Sequence, residues 1–148
     1  MLRSLGAVLL LALVAGGDAR ADSRQAQFLV RTTVPARATL AAVEQPKHLN
    51  VSEADLARGY MDVSARYVVE SNTRDGLLLR LSPRIGITHH VEVRGLSATL
   101  VVQGDEVEVY LARTSEAEHL ELDYRFVLAP GVEPGTYELP IYVAATPL

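Results

Sequence analysis

From Tyr60 onward the chain alternates apolar and polar residues with a period of two, which restricts it to extended strands that bury one face and wet the other. Met61, Val63, Ala65, Tyr67 and Val69 share one parity, while Asp62, Ser64, Arg66 and Glu70 hold the opposite one. The rhythm continues through Leu77, Leu79 and Leu81 to Ser82-Pro83, through Ile87 to Val93, and through Leu120, Leu122, Tyr124, Phe126 and Leu128. A second short run, Ala38 to Val43, stops at Gln45-Pro46. A helix would place apolar residues three and four apart. Only Asn50 to Gly59 breaks the alternation: Ser52 with Asp55 resembles a capping box, and Gly59 suits a helix end, so one short helix is expected there.

Turn chemistry divides the rows. Asn72-Thr73-Arg74-Asp75-Gly76 reads as a turn, because Asp-Gly supplies positive φ. Ala98–Val102 and Val107–Ala112 are expected to pair as a hairpin across Gln103-Gly104-Asp105-Glu106. Pro134-Gly135 suits a type II turn before a last strand from Tyr137 to Ala144. Near the other end Ala26, Phe28, Val30, Thr32 and Val34 alternate with Gln27, Arg31 and Thr33 until Pro35 interrupts the ladder. Seven to nine short strands at this spacing predict an all-β fold: an immunoglobulin-like antiparallel β-sandwich with one short helical turn.

The first residues follow a different logic. Arg3, an apolar run from Leu5 through Ala15, Gly16-Gly17 and then Ala19-Arg20-Ala21 form the charged, apolar, small-residue order of a secretory signal peptide. The run is shorter than the roughly 20 residues a helix needs to span a bilayer, which favours cleavage after residue 21 over an uncleaved anchor and implies no stable membrane insertion afterwards. The expected mature chain, residues 22–148, has the size of one domain. Losing Arg3, Arg20 and Asp18 leaves it 12 basic and 17 acidic residues, a net charge of −5. Scattered charge of that sign argues against a nucleic-acid partner. Cysteine is absent, which removes disulfides and any acylated-cysteine anchor.

Reactive constellations are sparse. His89 and His90 invite a metal, but adjacent side chains on a regular strand point to opposite faces, so the pair is not expected to chelate one ion. His48 and His119 have no ligand spacing toward that pair, and no metal or other cofactor is expected. Asp105, Glu106 and Glu108, and Glu116, Glu118, Glu121 and Asp123, are assigned to solvated faces rather than to calcium or acid–base work, since the alternation places them outward. G-x-S-x-G, H-E-x-x-H, P-loop and dinucleotide motifs are lacking, and no catalytic residues are assigned. A dispersed Ser-His-Asp cluster, the mark of a small exported hydrolase, is not legible in sequence.

Thr33-Val34-Pro35-Ala36-Arg37-Ala38-Thr39-Leu40, the strand and turn from Val68 to Gly76, and Tyr124-Arg125-Phe126 leading through Ala129-Pro130-Gly131 and Glu133-Pro134-Gly135-Thr136-Tyr137 stand in a familiar order. In this order the mature chain resembles chaperone-usher pilin-like subunits of the spore coat U and Csu type. The resemblance implies an incomplete sandwich whose groove is filled by the N-terminal strand of the next subunit, a case of β-augmentation. It implies a donor at residues 25–34 with Ala26, Phe28, Val30, Thr32 and Val34 as its plugs. It further implies a structural role in a pilus or surface coat, with other pilin-like subunits or a periplasmic chaperone as partners, in cell adhesion at the periplasm or cell surface. The alternative is that the same segment is the first strand of its own complete sandwich, a free-standing periplasmic immunoglobulin-like binding or assembly-accessory module. The chain departs from the family in two places. Ala38 stands where the family's first cysteine is expected, the second position falling near Val69 to Ser71, and Pro147 is expected to shorten the final strand.

Overall fold

Alternating rows become strands once two of them find a common interior. The computed structural model describes residues 31–84, 86–112 and 117–148; the chain divides into two units, Met1–Thr33 and Val34–Leu148, and every element below lies in the second. In chain order these are β1 (Ala38–Glu44), β2 (His48–Val51), α1 (Glu53–Arg58), β3 (Tyr60–Ser71), β4 (Leu77–Pro83), β5 (Thr88–Arg94), β6 (Leu100–Val102), β7 (Val107–Leu111), β8 (Glu118–Leu128), β9 (Gly135–Glu138) and β10 (Ile141–Pro147). They form a five-stranded sheet in the order β1-β3-β8-β5-β6, a three-stranded sheet β10-β4-β7 and a small ribbon β2-β9, all antiparallel. The fold is an all-β sandwich.

The inward rows are those the alternation marks. Leu79 and Leu81 of the smaller sheet join Ala65, Tyr67, Val91, Val93, Val102, Leu122, Tyr124 and Phe126 of the larger one in a single cluster that excludes water. Removing this apolar surface from water is the dominant favourable contribution to folding. β3 and β8, the longest strands, pair over ten residues from Tyr60↔Val127 to Val69↔Glu118 and carry the centre of that cluster. Two tyrosine hydroxyls are buried there as well. Tyr67 Oη and Tyr124 Oη lie 3.0 Å apart and satisfy each other. Burial pushes both phenols above their ordinary pKa, so both stay neutral.

Helix α1 forms as expected. Asp55 N–H bonds the Ser52 hydroxyl at 3.3 Å, while the Asp55 carboxylate accepts from Ser52 N–H at 3.0 Å, and Gly59 ends the turn at φ 80°. Gly95, just past β5, is demanded by packing: at φ +96° a Cβ there would fall 2.0 Å from the main-chain oxygen of Glu121.

Four expectations need correction. The hairpin between 98–102 and 107–112 does not form: β6 pairs with β5 and β7 with β4, so residues 103–106 carry the chain from one sheet to the other. Each strand gains a longer partner in its own sheet than the short hairpin would offer. Gly135 opens β9 without positive φ, and the left-handed glycine of this region is Gly131, at φ 84°. The expected last strand is two strands, β9 and β10, separated at Leu139-Pro140. Pro147 does not shorten β10, since it pairs with Leu77; proline is tolerated because β10 is an edge strand whose free side needs no N–H.

Candidate functional site

The five-stranded sheet ends at β1 and the three-stranded sheet at β10, and these two edges approach each other with Cα atoms within 8 Å. The two are not hydrogen-bonded neighbours, and at the points of closest approach they stand nearer than the ~9.6 Å that a further strand between them would require. Among the described residues β1 pairs only with β3 and β10 only with β4, so each stands as the edge of its sheet. Leu40 on β1 and Val143 and Ala145 on β10 pack against the core yet remain half-buried, unlike Val91 or Phe126, which are fully enclosed. Their partial exposure marks the interior of the sandwich reaching its surface along this seam.

Local sequence keeps the seam open and bounded. β1 bulges at Val43, between the pairs Ala42↔Tyr67 and Glu44↔Arg66, which leaves Val43 63% exposed. Bulges of this kind end pairing at an edge. Beyond them, Pro46, Lys47, Arg84, Leu139, Ile141 and Tyr142 line a cleft of about 550 Å³ where the end of β1 meets the start of β10. The Arg84 guanidinium faces the Glu138 carboxylate at 3.2 Å on its rim. At the opposite end Asn72 fastens the chain entering β1, accepting from Arg37 N–H at 2.7 Å and donating to the Pro35 carbonyl at 2.8 Å. β1 therefore lies in a fixed register that sets Ala38 opposite Ser71.

The residues singled out in the sequence fall in three groups. Of the donor row, Ala26, Phe28 and Val30 lie outside the described residues; Thr32 and Val34 are described, belong to no strand and are exposed, Val34 at 74%. The carboxylates sit outward: Glu121 and Asp123 are exposed on β8, Asp123 accepting from the Ser64 hydroxyl, and Glu106 and Glu108 hold Arg80 at 2.8 and 2.9 Å. Glu116 lies outside the described residues. Asp62 is paired to Arg125 at 2.8 Å, a hydrogen bond that draws its carboxyl below the ordinary range, and that guanidinium also covers the Tyr60 ring at 4.2 Å. These contacts tie strand to strand and leave no convergent acid–base pair among them.

The histidine pair departs from expectation. Thr88 pairs with Leu128 and His90 with Val127, so β5 spends an extra residue, His89, against β8. This bulge cancels the alternation, and the two Nδ1 atoms stand 2.9 Å apart, one ring donating a hydrogen bond to the other. The premise that adjacent residues must face apart fails here.

Sequence reasoning also missed the seam, naming no residue of β10 and none of β1 as a facing sheet edge. The legible signal was proline: Pro46 just past one strand and Pro147 inside the other mark both as edges. Compared with protein-family models, curated proteins and solved structures, the chain matches none. Among the described residues no helix is long and apolar enough to cross a membrane.

Proposed function

We propose that the chain is an exported structural subunit of a pilus or surface coat, an immunoglobulin-like sandwich that assembles by accepting a strand between β1 and β10. Supporting this reading above all is a seam unpaired among the described residues: two edge strands of seven residues each, lined by half-buried apolar side chains. The donor is the 25–34 segment of a neighbouring copy, with Ala26, Phe28, Val30, Thr32 and Val34 filling the positions between Leu40 and Val143. Insertion widens the seam by a few Å and gives both edges main-chain partners. The register Ala38↔Ser71 agrees with the pilin resemblance, because directly opposed residues on neighbouring strands are spaced for a disulfide of the kind the family carries there.

The second reading, a self-contained binding module, draws support from the closeness of β1 and β10, which already approach within 8 Å. A synthetic peptide of residues 25–34 separates the two. Added to the labelled protein, it should shift the main-chain amides of Leu40 to Ala42 and Tyr142 to Ala145 and spare those of β6 and β7, and Val143→Asp should abolish the effect. Absence of binding, or shifts confined to β6 and β7, rejects strand acceptance at this seam and leaves the self-contained module.

A further inference from the structure

The bulge in β5 builds something that neither the seam nor the strand-accepting reading uses. Imidazole nitrogens are good ligands for late first-row divalent ions. An ion held ~2.05 Å from each of two nitrogens 2.9 Å apart subtends an angle of about 90° at the metal. Tetrahedral coordination would set the nitrogens about 3.4 Å apart; the observed spacing matches the cis positions of a square-planar or tetragonal centre, the geometry favoured by Cu(II) and Ni(II).

A polar side chain stands near the far nitrogen of each ring. Ligating histidines generally direct the second ring N–H to a carboxylate, carbonyl or amide oxygen, which fixes the tautomer and orients the ring. Glu92 Oε1 lies 4.0 Å from His90 Nε2, and the Gln103 amide lies 3.5 Å from His89 Nε2, where its oxygen accepts once the amide is turned. Gln103 reaches this place because β6 pairs Val102 with Val91, which brings the 103–106 crossing over the bulge. The two Nδ1 atoms face each other across a shared hydrogen bond, with the ring planes 79° apart, beside a cleft of about 270 Å³ lined by Thr88, Gly86 and Gly104; an ion ligated by both takes the place of the shared proton, which leaves each ring protonated at Nε2. Among the described residues no group of three or more His, Cys, Asp or Glu side chains gathers around one point, so the remaining positions fall to water.

We propose that His89 and His90 form a two-imidazole binding site for a late first-row divalent ion, Cu(II) foremost, ligated through both Nδ1 atoms. The site is independent of strand acceptance and stands or falls apart from it.

The test is titration of the untagged full chain with Cu(II), read by isothermal calorimetry and electron paramagnetic resonance. One equivalent should bind with half-saturation below about 100 µM, with hyperfine coupling to two nitrogens. His89→Ala and His90→Ala should each weaken binding tenfold or more, whereas the double variant His48→Ala/His119→Ala should bind as the parent does. A measurement free of mutation accompanies these: substoichiometric Cu(II) should broaden the ring resonances of His89 and His90 before those of His48 and His119. Absence of saturable binding, unchanged affinity in either single variant, or first broadening at His48 or His119 overturns the proposal.

Discussion

On one side of the sandwich the chain crosses between the sheets at the edges themselves, leaving β6 at Val102 and entering β7 at Val107; on the other, β1 and β10 run seven residues each, and among the described residues the chain crosses only at one end, through residues 72–76, where Asn72 N–H bonds the Arg37 carbonyl and Leu148 N–H the Gly76 carbonyl. The crossed side has an edge strand of only three residues, β6, and Val102 is fully buried beneath it. Such a short edge offers little backbone to an incoming strand. The other side keeps Leu40, Val143 and Ala145 half-buried against the core, guarded at its ends by the Val43 bulge and by Pro147.

That contrast can be broken by experiment, beginning with its largest consequence. Phe126→Ala, at a fully enclosed position, should cost ~3–5 kcal/mol in urea unfolding, while Val143→Ala at the seam should cost less than about 1 kcal/mol; equal costs would show that the seam is sealed. Ala38→Cys/Ser71→Cys, joining β1 to its only described partner strand, should form a disulfide under oxidation and stabilise the fold by ~3 kcal/mol against the reduced form. If the pair stays reduced, β1 does not hold the register that defines one wall of the seam.

In the enclosed centre, Tyr67→Phe leaves the Tyr124 hydroxyl without its partner and should cost about 1–3 kcal/mol, whereas Tyr67→Phe/Tyr124→Phe should recover much of that loss, since both polar groups are then gone. The same pair predicts alkaline sensitivity. Burial raises both phenols, so above pH ~10 the unfolded chain releases protons that the folded one retains, and stability, intact below that pH, falls by up to ~1.4 kcal/mol per pH unit for each tyrosine. A parent and a double variant with the same alkaline unfolding profile would remove these two residues from the account.

The last test is a control on neither side. Ser52→Ala should cost about 1 kcal/mol through the loss of the α1 cap, without altering peptide binding at the seam. The Ser52 hydroxyl is the first cause holding the Asp55 carboxyl below its ordinary range, followed by the Ser52 N–H and Arg58. The capping contribution is therefore present above the ordinary carboxylate pKa and is lost as pH falls through the lowered one. The stability difference between the parent and Ser52→Ala should accordingly shrink as pH falls below the ordinary carboxylate range; a difference that stays constant with pH would show that the cap is not what lowers Asp55.

Sequence alone determined the elements whose cause is local. The parity of Met61 to Val69 and of Leu120 to Leu128 dictated which face is buried, because side chains alternate on any strand whatever its neighbour. Ser52, Asp55 and Gly59 dictated α1 for the same reason, their partners lying within one turn. Tertiary structure alone decided which strand lies beside which: it turned an expected hairpin at 103–106 into a crossing, separated β9 from β10, and left β1 and β10 as facing edges. It also inserted His89 as an extra residue against β8, and so reversed the inference that two neighbouring histidines must point apart. Pairing, register and bulges are settled between segments far apart in the chain, and a period of two carries no information about them.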